Sequence, residues 1–261
     1  MEFFIGRILP YLAVTCFVVG LIYRIGRWNS APIPHEQVLY PAPETTKDVV
    51  VEIATEAIFF KKIFNTDKAL WFGSWFFHIG LFLALGGHLV GIPFEGKQFI
   101  YFGTSVELSK ELSHILGSVA GIFMFVGLIY LLIRRLTILE VKKISDPSDY
   151  FDAILLLAIA FTGNYMRFLA PLEYVEAKNF VIGILSFSPV ALPSNGWFVL
   201  HFTLVMILLI YFPFSKLFHF IGTFYTQAIS TKIAPPKPAS LKVEKGTSAK
   251  VVTTQKGGVS Y

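Results

Sequence analysis

Residues 70–92 of this 261-residue chain read LWFGSWFFHIGLFLALGGHLVGI, and they decide its fold. The stretch has no lysine, arginine, aspartate or glutamate. As a helix rising about 1.5 Å per residue it is long enough to cross a hydrocarbon core about 30 Å thick. It contains His78 and His88, ten residues apart. Because an imidazole in hydrocarbon is unfavourable, two of them in one span indicate a binding site.

Four further stretches have a similar length and apolar character: residues 3–23, 113–133, 150–169 and 196–220. The composition agrees with a membrane location, since 54% of all residues are hydrophobic and only 15% are charged. The sequence therefore predicts an all-α integral membrane protein with five transmembrane helices, surrounded by lipid.

Lysine and arginine are concentrated on one side of the predicted spans. All but five of the 22 follow the first or third stretch, or lie near or beyond the end of the fifth. Loops rich in these residues face the cytoplasm, so we expect the amino terminus outside and the carboxyl terminus in the cytoplasm, with the cytoplasmic membrane as the location. The net charge of +5 reflects this asymmetry and indicates no nucleic-acid partner. The five residues on the outer side are Arg7, Lys97, Lys110, Arg167 and Lys178.

The predicted membrane domain covers residues 1–221. Its longest cytoplasmic loop, residues 24–69, has apolar residues at helical spacing over 49–64, which predicts an interfacial amphipathic helix. Residues 222–261 form a lysine-containing tail with three prolines, which we expect to be flexible. The single cysteine, Cys16, excludes a disulfide and a cysteine-ligated iron–sulfur cluster on this chain.

The fifth stretch carries a second histidine pair, His201 and His219, eighteen residues apart. Antiparallel spans would place His88 near His201 on the outer side and His78 near His219 on the cytoplasmic side. A b-type haem takes two axial imidazoles, so the two pairs predict two haems b. On straight helices the pairs are separated along the axis by about 15 and about 27 Å. Helix tilt, inclined haem planes and a bend at Pro213 would have to absorb this mismatch.

Three polar side chains are candidates for a quinol site beside the outer haem: Lys110, His114 and Arg167. His114 opens the third span and could exchange protons with a quinol hydroxyl, or it could simply face lipid headgroups. His35 is interpreted as a solvated loop residue. The inner cations, which could meet haem propionates or merely follow the positive-inside rule, are Arg134, Arg135 and Lys216.

The five spans, their orientation and both histidine spacings resemble the family of the respiratory nitrate reductase gamma subunit, a dihaem cytochrome b, over residues 3 to about 220. The resemblance implies that His88 and His201 ligate the outer haem and that His78 and His219 ligate the inner one. It also implies that a membrane quinol, expected to be menaquinol, is oxidised at an outer site. Electrons then pass to a cytoplasmic iron–sulfur subunit, so the chain is expected to be part of an oxidoreductase complex rather than a complete enzyme.

Within this family, the loop with Arg27, Trp28 and the proline-rich residues 31–43 is more similar to members linked to dissimilatory sulfite reduction or to heterodisulfide reductase. Nitrate-type members have a lysine that assists the quinol; Leu108 stands at the equivalent position here, and Lys110 is the nearest substitute. A nitrate reductase gamma subunit is the alternative within the family. A haem-free transporter or proton channel is the alternative of another class.

Overall fold

A computed structural model of the chain describes residues 2–32 and 42–231. All regular secondary structure in these residues is helical. The predicted all-helical fold is confirmed, and five of its helices are long and apolar enough to cross a membrane. The five helices are Phe4–Asn29, Lys68–Gly91, Val106–Thr137, Pro147–Phe168 and Gly196–Phe214.

The α-helices of the described residues are numbered in chain order. They are α1 (Leu9–Asn29), α2 (Thr46–Phe59), α3 (Lys61–Thr66), α4 (Lys68–Gly86), α5 (Val106–Thr137), α6 (Leu139–Lys143), α7 (Pro147–Phe168), α8 (Tyr174–Leu185), α9 (Gly196–Tyr211) and α10 (His219–Ser230). Helices α1 and α4 each join a π-helical turn, at Phe4–Ile8 and Gly87–Gly91. Thr45 and Asp146 begin α2 and α7 with capping boxes, which satisfy the free amides of the first turn.

The spanning helices pack in the order α4, α5, α7, α9, α1. Neighbours in this order run antiparallel except α9 and α1, which run parallel, since Leu9 and Ala13 pack on Met206 and Arg24 reaches Pro213. Gly80 of α4 lies directly against the backbone of Met124 in α5, and a Cβ on Gly127 of α5 would lie 2.8 Å from the amide nitrogen of Phe77. Small residues allow such close approach, which maximises packing between helices in lipid. The buried core at this interface and beside α7 consists of Phe77, Met124, Leu128, Leu156 and Ala160.

The fifth span is interrupted. Helix α9 ends at Tyr211, Ser215 is extended with ψ of 173°, and α10 begins at His219. Pro213 has no amide hydrogen and its ring conflicts with the carbonyl four residues earlier, so the helical hydrogen bonds stop here. The prediction of one continuous span over residues 196–220 is therefore wrong beyond residue 214. His219 lies after the break rather than on the spanning helix.

The helix predicted over residues 49–64 is present as α2 and α3, which meet at Phe60 in the left-handed conformation, with φ of 51°. Its position at the membrane interface stays a prediction. The indole nitrogens of Trp71 and Trp75 donate to carbonyl oxygens at the end of α2, at 2.7 and 3.3 Å. Glu56 is buried and accepts from the amide of Lys62 at 2.9 Å. These contacts fix α2 and α3 across the beginning of α4.

Two helices at the ends of the bundle, α8 and α10, were not predicted from the sequence. Helix α8 lies in the predicted outer loop between the fourth and fifth spans, where Phe180 packs on Phe198 and Phe202 with ring centroids 5.6 and 5.1 Å away. Helix α10 reaches Ser230, so the first residues of the predicted flexible tail are helical. The remainder of that tail, residues 232–261, and His35 lie outside the described residues.

Candidate functional site

The structure brings together both histidine pairs that the sequence singles out. The ring centroids of His88 and His201 are 6.2 Å apart with planes at 14°, and those of His78 and His219 are 5.9 Å apart with planes at 87°. Two imidazoles that bind one metal ion from opposite sides, each at about 2 Å, have centroids about 6 Å apart. Both pairs therefore have the separation that a single iron requires.

The interrupted fifth span accounts for the unequal spacing of the pairs. On a straight helix, His201 and His219 would be separated by about 27 Å, far more than the separation of about 15 Å between His78 and His88. The extended Ser215 and the turns on either side of it redirect the chain before His219. The bend predicted at Pro213 is a complete break in the helix, and this break allows His219 to reach His78.

Each of these histidines uses Nδ1 in a hydrogen bond. His78 and His88 contact the carbonyl oxygen four residues earlier, at 2.7 and 2.6 Å. His219 contacts the carbonyl oxygen three residues earlier, at 3.2 Å. Because a carbonyl only accepts, Nδ1 carries the proton and Nε2 keeps its lone pair. This is the tautomer that binds a metal through Nε2.

His201 is held by a different helix. Its Nδ1 lies 3.1 Å from the carbonyl oxygen of Ile159 and 2.9 Å from Oγ1 of Thr162, both in α7. The Thr162 hydroxyl donates to carbonyl oxygens within α7, so its oxygen accepts from the imidazole. A Cβ on the neighbouring Gly163 would lie 3.2 Å from Cε1 of His201. Helix α7 thus fixes the orientation and the tautomer of this imidazole.

Aromatic rings pack around His78, one member of the other pair. Phe60 meets the His78 ring edge-on at a centroid distance of 5.0 Å, and Phe77 does so at 4.8 Å. Phe60 is the left-handed residue between α2 and α3, so the interfacial helices cover this histidine. This contact could not be predicted from the sequence, because it depends on how α2 and α3 fold back onto α4.

The three quinol-site candidates lie on α5 and α7, two helices that pack against each other. Lys110 and His114 are exposed and lie one turn apart near the beginning of α5. The guanidinium of Arg167 packs against Gly117, about one turn further along α5, and donates to the Tyr174 hydroxyl at 3.4 Å. The described contacts do not join the three side chains directly.

Asn164 extends this polar row. Its Nδ2 donates to the carbonyl oxygen of Gly121 at 2.9 Å, and its side chain packs on that glycine. Gly117 and Gly121 therefore admit polar side chains of α7 into the interface. An apolar groove of about 290 Å³ adjoins Asn164, and its lining includes Ile122, Phe125, Val126, Phe161, Tyr165 and Phe168.

A charged network missed at the sequence level ties the loops at this end. Lys178 of α8 donates to Glu95 at 2.6 Å, and Lys97 donates to the same carboxylate at 3.1 Å. These hydrogen bonds, first that of Lys178, hold the pKa of Glu95 below its usual range. Ser109 of α5 donates to the carbonyl of the adjacent Gly96 at 2.9 Å. The loop after α4 is thereby fixed over the beginning of α5.

At the opposite end, the three inner cations proposed as haem-propionate partners are paired with carboxylates. Their ion pairs are Arg134–Asp67, Arg135–Asp149 at 3.3 Å, Lys216–Asp146 at 2.6 Å and Lys216–Asp149 at 3.0 Å. The hydrogen bond from Lys216, with help from Ser148, lowers the pKa of Asp146 to about 2. These cations connect the segments around α6 and the break in the fifth span.

Comparison with known proteins identifies the family. Residues 62–228, more than half of the chain, match the family described as the nitrate reductase gamma subunit. The chain belongs to the nitrate reductase gamma subunit family. The matched residues include both histidine pairs, Lys110, His114 and Arg167, whereas α1 precedes them.

Individual relatives of two kinds are similar to this family member. The Hdr-like menaquinol oxidoreductase cytochrome b-like subunit of Archaeoglobus fulgidus is 28% identical over 256 residues, covering 85% of this chain and 77% of the relative. The nitrate reductase gamma chain of Bacillus subtilis is 29% identical over 224 residues, covering 81% and 87%. The respiratory nitrate reductase 2 gamma chain of Escherichia coli is 27% identical over 152 residues, covering 55% and 67%.

Membership makes this chain a membrane protein of a haem-binding cytochrome b family. The observed side chains fit such a group. Two pairs of imidazoles present a free Nε2 at single-iron separation, and Gly163 leaves the space beside His201 that a side chain would fill. Imidazoles are established axial ligands of haem iron.

Proposed function

We propose that this chain is the electron-transfer subunit of a menaquinol-oxidising membrane complex, in which His88 and His201 bind one haem b and His78 and His219 bind a second. The pair geometry carries the proposal: centroid separations of 6.2 and 5.9 Å, with the protonated Nδ1 of every ring turned to a backbone carbonyl. A haem-free transporter would not require this arrangement twice. A bound haem supplies reversible one-electron transfer.

The residues of this chain orient and shield the two groups. Helix α4 sets the rings of His78 and His88 through its own carbonyl oxygens, while α7 sets His201. Phe60 and Phe77 pack around His78 and limit the access of water. Hydrogen bonds to Nδ1 and a dry shell are the means by which a protein adjusts the potential of a ligated iron.

The orientation proposed from the charges assigns a side to each pair. Lysines and arginines concentrate at the end of the bundle that contains His78 and His219, which we place at the cytoplasm. His88 and His201 then lie near the outer surface. Oxidation of a quinol there releases protons outside, while its electrons move inward.

We place the quinol headgroup at the α5–α7 face defined by Lys110, His114 and Arg167. A quinol gives up two protons with its two electrons, and the exposed His114 can accept a proton and pass it to the exterior. Arg167 and Lys110 supply donors for the quinol oxygens. The apolar groove beside Asn164 suits the isoprenoid chain, since it adjoins this polar row and opens between the same two helices.

The names of the relatives support menaquinol as the electron donor, because the Archaeoglobus fulgidus relative is described as part of a menaquinol oxidoreductase. We propose a cytoplasmic iron–sulfur subunit of the sulfite- or heterodisulfide-reductase type as the electron acceptor. It would dock on α2, α3 and α10. A hydrogen bond from Lys62 Nζ to Gln227 Oε1, at 3.4 Å, links α3 to α10. Copurification with a nitrate-reducing subunit instead would favour the nitrate reductase gamma function.

The proposal is tested on purified protein in detergent. A pyridine haemochrome assay should give two b haems per chain, and a menaquinol analogue should reduce both. One haem or none per chain would contradict the dihaem assignment. Two haems that the quinol analogue leaves oxidised would contradict the quinol-oxidising function while leaving the haem assignment in place.

A further inference from the structure

Arg24 of α1 makes its hydrogen bonds at the break in the fifth span. Its Nη1 donates to the carbonyl oxygen of Pro213 at 2.7 Å and to that of Ser215 at 2.9 Å. Carbonyl groups at the end of a helix lack partners within the helix, and leaving them unpaired in a membrane is costly. Arg24 supplies the partners that the interrupted helix no longer provides.

Two further residues on the same face of α1 contact the break. A Cβ on Gly20 would lie 2.6 Å from Cβ of Pro213, so only glycine admits the proline ring here. The Trp28 ring packs edge-on against Phe218 at a centroid distance of 5.0 Å. Gly20, Arg24 and Trp28 are spaced by four residues and so share one helix face. This face of α1 follows the broken segment from Pro213 to the residue before His219.

The charge of Arg24 is compensated locally without a carboxylate. In residues 2–32 and 42–231, no acidic side chain lies within ion-pair distance of Arg24. Its guanidinium carbon lies 4.7 Å from the ring centroid of Phe218 and 5.6 Å from that of Trp28. Arginine is well suited to a site that combines several acceptors with aromatic faces. Phe218, the residue before His219, is fully buried in this contact.

We propose that Arg24 is a positioning residue for His219: by holding residues 213–218 against α1, it places that imidazole opposite His78. The inference rests on the proposed function, because it takes His219 as a haem ligand. It adds that a residue of the first span, which carries none of the four histidines, determines whether the His78–His219 pair can form. The His88–His201 pair does not depend on this contact.

The test compares Arg24→Ala, Arg24→Lys and the control Arg27→Ala, since Arg27 is an exposed arginine one turn away on α1. The wild-type protein must first show two haems, one of which is lost in both His78→Ala and His219→Ala; failure at this step contradicts the proposed function itself. Arg24→Ala should then lose most of that same haem, or shift its midpoint potential, while the other haem keeps its spectrum and potential. Arg24→Lys should restore most of the haem, because lysine can still donate to both carbonyls.

Arg27→Ala should retain both haems at wild-type potentials. Two outcomes overturn the inference while leaving the proposed function intact. In one, Arg24→Ala retains both haems with unchanged spectra and potentials. In the other, Arg24→Ala loses both haems together, which would show that Arg24 supports the whole bundle rather than His219.

Discussion

His201 and His219 lie on the same polypeptide stretch, but the structure positions them by opposite means. His201 sits within a regular helix, and its Nδ1 is bonded to a neighbouring helix through Thr162 and Ile159. Among the residues that the structure describes, the His219 imidazole bonds only to a carbonyl of its own segment, and its place depends on a break in the helix. Their partners, His78 on α4 and His88 in the π-helical turn that follows it, are by contrast set in the same way, each by the carbonyl oxygen four residues earlier.

The difference shows that the histidines of two similar sites can be oriented by separate sets of contacts. At the His88–His201 pair, the orientation of His201 depends on its hydrogen bonds to α7. At the His78–His219 pair, it depends on the path of the backbone and on the aromatic cover of Phe60. Substitutions should therefore affect one site at a time.

The largest effect is expected from removal of the ligands themselves. His88→Ala and His201→Ala should each abolish the same haem, and His78→Ala and His219→Ala should each abolish the other, because a bis-imidazole haem needs both ligands. Spectra and potentiometric titrations of the four variants would show two matching classes. His114→Ala serves as the control that keeps both haems. Loss of the same haem from His78→Ala and His88→Ala would refute the pairing.

The two sites also differ in how far their construction could be predicted from sequence. The spans follow from local hydropathy, and the histidine spacings follow from numbering alone. A bend at Pro213 was predicted, but a complete break was not. Whether a proline bends or ends a helix depends on its surroundings, here Gly20 and Arg24. The role of Thr162 was likewise invisible, since it depends on which face of α7 meets His201. Contacts between distant segments, rather than local patterns, distinguish the pairs.

The second prediction concerns the quinol, which we place only at the His88–His201 end. His114→Ala should keep both haem spectra but slow haem reduction by a menaquinol analogue by at least about tenfold, because general acid–base groups contribute this much or more. The rate is measured by stopped flow across about pH 6 to 8, the range in which histidines exchange protons.

His35→Ala, in the predicted cytoplasmic loop, is the matched control and should have a smaller effect. A wild-type rate for His114→Ala over the whole pH range would assign His114 to the headgroup region. The quinol site would then have to be sought elsewhere.

A smaller effect is expected at the contact that distinguishes His201. Thr162→Val removes the hydroxyl acceptor at 2.9 Å from Nδ1, which makes the imidazole a poorer electron donor and destabilises the oxidised iron. The midpoint potential of the His88–His201 haem should rise by tens of millivolts, the scale of a fraction of one hydrogen bond, and that of the other haem should stay constant. Redox titration measures both.

Two variants make this measurement specific. Thr162→Ser should restore the wild-type potential, because it keeps the hydroxyl. Thr203→Val changes a threonine of α9 whose hydroxyl donates to the carbonyl oxygen of its own helix at Val199, at 2.7 Å, so it should leave both potentials unchanged. Equal shifts of both haems in Thr162→Val would contradict the separate control of the two sites.

The smallest effect concerns the ion pairs that fix the loops at each end. Lys216 lowers the pKa of Asp146 from 3.8 to about 2, so the pair contributes its full stability above about pH 4 and loses it as the pH falls toward 2. Glu95, whose pKa is lowered mainly by Lys178, behaves in the same direction at the opposite end. Asp146 is exposed and Glu95 is partly exposed to solvent, so the contributions are small and weakened by salt.

Lys216→Met and Lys178→Met should accordingly lower the thermal unfolding midpoint slightly at pH 7, and each difference from wild type should shrink as the pH approaches 2. Circular dichroism in detergent at low ionic strength measures the midpoint. Because Lys216 precedes His219 in the broken segment, Lys216→Met should also broaden the spectrum of the His78–His219 haem slightly, whereas Lys178→Met should not. A difference from wild type as large at pH 2 as at pH 7 would show that the lysine stabilises the fold by packing rather than by its charge.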